Sequence, residues 1–232
     1  MAARAHPFDR PMTRVSRFAA PLLVAACARP PSPPPPIPPL APFPTAAAVA
    51  APAEAWSREA GLLLRGPTPT RVPHIGMRLA VVQDAGDSLQ VRCMVCPGLP
   101  VGWTDRVRLA WIPLAPADAR GGDLADFVLA VREAARRRDM PALQAAMARN
   151  FVHALDGREG VLAAVADLSG RRAGDLARIP GLLDRGVVAV PGTRVWAAPP
   201  EFATVPGYAD LRTGFMRGEA GWEWTFILRT GL

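Results

Sequence analysis

The sequence predicts an α+β protein: a small β barrel, then a helical segment, then a C-terminal antiparallel sheet. Three observations predict it. Short apolar runs separated by turn residues fill 60–112. Residues 122–186 switch to a helical period. Near the end Trp222, Trp224, Phe226 and Leu228 alternate with polar residues. Short punctuated strands suggest a barrel, and helices followed by a terminal sheet suggest an α+β domain.

In chain order, residues 28–58 read as a linker rich in proline, then alanine. Clustered prolines favour polyproline II, a semi-rigid spacer of ~3.1 Å per residue. Its use is reach; the rival use is a PxxP ligand for a partner domain. Residues 59–114 carry the barrel. Leu62 to Arg65, Arg78 to Gln83, Leu89 to Val95 and Arg106 to Ile112 are its strands. Gly66-Pro67, Pro73, Asp84 to Asp87 and Pro97 to Gly102 are its turns.

Residues 122–232 form the α+β domain. Leu124, Phe127, Val128 and Val131 recur at helical spacing, with Arg132, Glu133 and Arg136 to Arg138 on the other side. Asp123 caps this helix by accepting N–H bonds of the first turn. Asp139 and Pro141 open a second helix, with Leu143, Met147 and Phe151 inward. Asp156 with Glu159 resembles a capping box for a third, through Val161, Leu162, Val165 and Leu168. A fourth, Asp175 to Arg185, contains Pro180, which splits or kinks it, and ends at Gly186. Strands follow at Val187 to Val190 and Arg194 to Ala198. A hairpin, Tyr208 to Met216 with Trp222 to Thr230, closes the chain. In its last strand strict alternation puts Trp222, Trp224, Phe226 and Leu228 on one face.

The N-terminal stretch reads as an address. Arg14 and Arg17 precede nine residues, Phe18 to Ala26, that are apolar apart from the break at Pro21. A secretory signal needs a positive region, an apolar run of ~7–15 residues and a small-residue cleavage site. A spanning helix needs ~20 apolar residues, so this run is too short to be one. Met12 serves as an alternative start, since Met1 to Pro11 adds nothing such a signal needs. Val24-Ala25-Ala26-Cys27 resembles the lipobox of bacterial lipoproteins. The resemblance implies lipidation of Cys27, cleavage before it, and residues 1–27 as signal peptide and anchor cysteine. The rival is an ordinary secretory signal cut after another small residue. Ala28 follows Cys27 where inner-membrane lipoproteins commonly carry Asp, which implies the outer membrane, facing the periplasm. Acyl chains hold a protein at a surface without spanning it.

Within 59–114 the order Leu64-Arg65-Gly66-Pro67, strand Leu79 to Val82, Gly86-Asp87, strand Leu89 to Arg92, and Gly102-Trp103 is similar to the bacterial Src-homology-3-like domain. Ala135 to Phe151 and the Trp-rich closing strand look like parts of the nuclear-transport-factor-two-like fold. That resemblance implies a cone-shaped pocket between sheet and helices in 122–232.

Composition narrows function further. All 27 basic residues are Arg, and the formal charge is +7. Residues 1–26 hold four Arg and one Asp, so cleavage leaves 23 Arg against 19 acids, or +4. No basic run is long enough for a nucleic-acid surface. Cys93 and Cys96 read first as a structural disulfide closing a loop tip, as an oxidising compartment permits. Thiol redox chemistry is the rival, without the helix that would lower a thiol pKa. Zinc lacks a second cysteine pair. His74 and His153 accompany no nucleophile motif and read as surface or satisfied side chains. Asp156, Asp167, Glu201 and Asp210 are candidate pocket carboxylates, but no spacing pairs them for acid–base work. No catalytic residue, metal set or cofactor is expected. Trp103, Trp196, Tyr208, Trp222 and Trp224 form either a binding face or, for the sheet residues, plain core. The expected function is a lipid-anchored, non-enzymatic binding module for peptidoglycan peptide or an envelope protein partner. The alternative is a small-ligand carrier or enzyme with a cone-shaped pocket.

Overall fold

Backbone pairing begins earlier than composition suggests. The computed structural model describes residues 53–154 and 159–230, and Glu54–Ser57, inside the range read as linker, is already strand β1. Strands β2 (Leu62–Leu64), β3 (Thr70–Val72), β4 (Ile75–Asp84), β5 (Ser88–Cys93), β6 (Val101–Asp105) and β7 (Leu109–Ala110) follow. A 3-10 turn, Arg106–Arg108, replaces the start of the strand expected there. Then come α1 (Pro116–Ala119), α2 (Leu124–Arg137), α3 (Met140–Ala146), β8 (Met147–Val152), α4 (Val161–Ser169) and α5 (Ala173–Leu183). The chain closes with β9 (Arg185–Ala189), β10 (Val195–Ala198), α6 (Glu201–Thr204), β11 (Arg212–Gly218) and β12 (Gly221–Leu228). The protein is therefore α+β, with helices against a large mixed sheet. Among the described residues no closed barrel forms, and no helix is long and apolar enough to cross a membrane. Cys27, the signal segment, most of the linker and the Asp156 cap lie outside the described residues.

The sheet runs β6-β5-β4-β9-β10-β11-β12-β8, with β1 on β4 and β7 on β1. All its pairings are antiparallel except that of β12 with β8. The ten-residue β4 is shared. Its later part pairs with β5, Leu79 opposite Cys93, and with β1, Leu79 opposite Ala55. Its start pairs with β9, Ile75 opposite Val187 and Met77 opposite Arg185. Gly186 permits this junction. It takes φ +90°, and a Cβ there would lie 2.8 Å from Ile75 O and from Met77 Cγ.

Helix α2 starts as expected, with Asp126 N–H donating to the Asp123 carboxylate, but it is buried on two faces. Phe127, Val128, Val131 and Ala135 join the larger core with Phe151, Phe215 and Trp224. Ala125 and Leu129 pack on Trp56 and Ala110. A second core lies between β1–β5 and β7, built on Leu62, Leu64, Leu79, Leu89 and Val91. Arg132, expected on the solvent side, is buried on that second face of α2. The correction follows from spacing: 125, 129 and 132 share one stripe, and here that stripe also has a partner.

Three further expectations are corrected. The second helix does not continue through Met147 and Phe151. It stops at Ala146, and residues 147–152 form β8, parallel to β12 with Trp224 opposite Met147 and Phe226 opposite Val152. Met147 and Phe151 stay buried, because strand pairing with β12 outweighs a short helical match. The alternation of β12 also breaks. A bulge lies between Gly214 and Phe215 of β11, so that Trp224 opposes Phe215 while Phe226 opposes Gly214. An extra residue inverts the facing beyond it. Trp222, Trp224 and Ile227 are buried, whereas Phe226 is half-buried and meets Phe202 edge-on at 6.3 Å. Gly214 leaves the room, since a Cβ would lie 2.1 Å from the Phe226 ring. Pro180 does not end α5, which runs on to Leu183.

Replacing Gly186 with Ala should lower stability by about 1–3 kcal/mol, through overpacking and left-handed strain. Urea denaturation checks it; an unchanged midpoint contradicts the close approach of β4 and β9.

Candidate functional site

The second face of α2 stands across from β1 and β4, and the two sides enclose an open groove of about 530 Å³. Trp56 and Leu129 contribute its apolar floor, Trp111 and Pro113 a rim, and the remaining walls are charged. Trp56 occupies this place because alternation in β1 buries it against α2. Its indole Nε1–H donates to Asp184 Oδ1 at 3.2 Å. Asp184, where α5 meets β9, is itself buried.

Arg132 completes this center. Its Nε donates to Asp184 Oδ1 at 2.6 Å and its Nη2 to Oδ2 at 3.2 Å. Its guanidinium also lies over the Trp56 ring, 4.7 Å from the centroid, a favourable cation–π geometry. Arg78 donates its backbone N–H to Asp184 O at 3.0 Å. The Arg78 side chain bonds Glu54 and places Nη1 3.8 Å from Asp184 Oδ2. Arg132 Nη1 lies 3.8 Å from Glu133 Oε2, and Glu133 accepts from Arg136 at 2.6 and 2.8 Å and from Arg137 at 2.7 Å. The hydrogen bond to Glu133, the charge of Glu133 and, more weakly, the charge of Glu54 raise the Arg136 pKa, against desolvation. The order Glu54, Arg78, Asp184, Arg132, Glu133, Arg136 is thus a circuit of alternating charge, in which Asp184 is buried and the other five line the groove.

Glu133 shows how firmly the circuit is held. The hydrogen bond from Arg136 leads in pulling its pKa from 4.5 to about 2, burial opposes, and Arg137 adds to the pull. One donor remains unused: Arg78 Nε is buried with no acceptor among the described residues. A buried donor without a partner costs about 1–3 kcal/mol, a cost the fold carries at this position. The Trp111 ring carries the Arg106 guanidinium 4.6 Å from its centroid, so the arrangement offers a ligand the rest of that ring's surface and the hydrogen-bonding side chains of the walls. It presents no nucleophile.

The structure places the residues singled out in the sequence elsewhere. Cys93 and Cys96 sit at disulfide-bonding distance, Cα atoms 5.5 Å apart, closing the β5–β6 loop. Trp103 of β6 is half-buried and exchanges both backbone hydrogen bonds with Arg65. Trp196 is half-buried against the larger core. Tyr208 is half-buried, its hydroxyl 3.4 Å from Leu211 O. Trp222 is buried, and Trp224 is wholly so, packed on Phe151 at 4.9 Å; these two are core. Phe127, Phe151, Phe215 and Trp224 occupy the layer between α2 and the sheet. None of the five singled-out rings lines the groove.

His153 is buried, with Nε2 3.2 Å from Asp167 Oδ2. His74 is half-buried; desolvation lowers its pKa and the charge of Glu201 opposes this. Glu201 pairs with Arg185 and Asp210 with Arg178. Among the described residues no group of three or more His, Cys, Asp or Glu could hold a metal. Trp56 and Trp111, the rings that do line the groove, were inconspicuous in sequence, one at the end of an Ala-rich run and one inside an expected strand. No family model, no curated protein and no solved structure matches the chain.

A depressed carboxylate pKa stabilises above the unfolded value and loses that contribution as pH falls through the folded one. Glu133→Gln should therefore cost on the order of 1 kcal/mol near neutral pH, after allowance for solvent screening. The gap to wild type should close between pH 4.5 and about 2. Thermal melts of both proteins across that range check it.

Proposed function

We propose that this chain is a lipid-anchored protein of the bacterial envelope whose folded part is a non-enzymatic binding module. Val24-Ala25-Ala26-Cys27, the short apolar run before it and the Pro-rich spacer after it support the anchoring. The expected location is the outer membrane, facing the periplasm. The disulfide-distance pair Cys93–Cys96 suits an oxidising compartment.

The observation that carries the binding role is the groove itself. It is open, is lined by Trp56 and Trp111, and carries charged side chains of both signs along its walls. Such a surface suits an extended peptide, whose backbone offers acceptors and whose side chains stack on rings. The proposed ligand is a peptidoglycan peptide or a segment of an envelope protein. The antiparallel run β1, β4, β5, β6 and β7 supports reading 59–114 as an open relative of the Src-homology-3-like barrel. The β2–β3 hairpin, bridged to β6 at Arg65 and Trp103, belongs to the same reading.

Two experiments test it. Cys27→Ala should abolish radiolabelled palmitate incorporation and release the protein from membranes; undiminished labelling refutes the anchor. In a pull-down with purified cell-wall fragments, Trp111→Ala should weaken retention about tenfold or more, as loss of an aromatic anchor does. Equal retention of both proteins removes the groove from binding.

A further inference from the structure

A second cleft lies away from the groove, where α5 meets the loop before β11. It measures about 350 Å³, at the lower end of small-ligand sites. Arg178, Gly181 and Leu182 of α5 line one part, Arg185 of β9 another, and Tyr208 and Asp210 the rest. We infer that this cleft binds a free α-amino acid with an apolar side chain, independently of the peptide groove.

Opposite charges lie side by side here. Arg178 donates to both Asp210 oxygens through Nη2, at 2.9 and 2.7 Å, which leaves its Nη1 and Nε side open to a second acceptor. Arg185 is paired with Glu201 through Oε1, and Glu201 Oε2 is buried with no donor among the described residues. Both ion pairs are exposed by roughly half, and such pairs are weak enough to share their charges with a ligand. The Tyr208 hydroxyl is held only by the long 3.4 Å contact with Leu211 O. Burial, then the charge of Asp210, raise its pKa, while Arg185 acts against them. It stays a protonated donor at neutral pH.

A lone anion would face Asp210, and a lone cation would face Arg178 and Arg185. A zwitterion satisfies both. Its carboxylate takes hydrogen bonds from Arg185 and Tyr208, and its ammonium donates to Asp210. Leu182 supplies apolar wall. Gly181 keeps the floor open, since nothing lies within 4 Å of the place a Cβ would take.

Tyr208 is the chain's only tyrosine, so 13Cζ-tyrosine labelling of the full chain gives one resonance at the cleft. L-leucine should shift it saturably. 4-Methylpentanoate, without the ammonium, and L-leucinamide, without the carboxylate, should each bind at least about tenfold more weakly, since each leaves a charged partner unmet. Gly181→Phe should fill the cleft and abolish the response while the melting temperature holds. Should that variant not fold, Asp210→Asn should weaken L-leucine about tenfold and leave 4-methylpentanoate unchanged. No saturable shift with L-leucine in the millimolar range overturns the inference. So does an equal response to all three compounds, or undiminished binding by a folded Gly181→Phe.

Discussion

Asp184 stands where α5 turns into β9, and three elements reach it. The Trp56 indole arrives from β1, the Arg132 fork from α2 and the Arg78 backbone N–H from β4. Bringing a carboxylate and a guanidinium out of water is costly, and their attraction offsets that cost only when geometry is good and the remaining hydrogen-bonding positions are filled. Here both carboxylate oxygens accept, the guanidinium stacks on a ring, and each group touches a different element. A polar joint of this kind is specific where apolar contact is not. It aligns β1, β4 and α2 in one orientation, and the groove is the space they leave above it.

The shared strand β4 explains why that joint matters. Its start belongs to the sheet with β9 and its later part to the run with β1 and β5. Helix α2 joins the larger core to a small cluster around Trp56, packing on β12 and α5 residues with one stripe and on Trp56 and Ala110 with the other. Burying side chains such as Phe127 and Leu129 contributes about 1.5–3 kcal/mol each. Nonpolar burial therefore supplies most of the stability, and the Asp184 center supplies register.

Both candidate sites are locally balanced in charge although the chain as a whole is basic. The groove sets Glu54 and Glu133 among Arg78, Arg132 and Arg136, with Asp184 buried beneath, and at the α5 cleft Arg178 pairs with Asp210 and Arg185 with Glu201. Screening suppresses long-range steering by such paired charges. Recognition at either place must then come from contact: rings, oriented donors and shape. That suits reversible binding rather than electrostatic capture.

Much of the framework was legible in residue order. The Asp123 and Asp139 caps, the helical period of Leu124 to Val131, the closing hairpin and the Cys93–Cys96 pairing rest on local chemistry that operates within a few residues. The sequence by itself determined these, because a cap, a period or a three-residue loop involves only near neighbours. Tertiary structure alone decided that residues 147–152 form a strand, that β12 inverts at a bulge, that Arg132 turns inward and that Trp56 leaves the linker for a sheet. Each of those outcomes depends on a partner distant in the chain: β12 for β8, Gly214 for Phe226, Asp184 for Arg132 and Trp56. The groove is built almost wholly from such pairs, with Trp56 and Asp184 separated by 128 positions, so no local pattern could announce it.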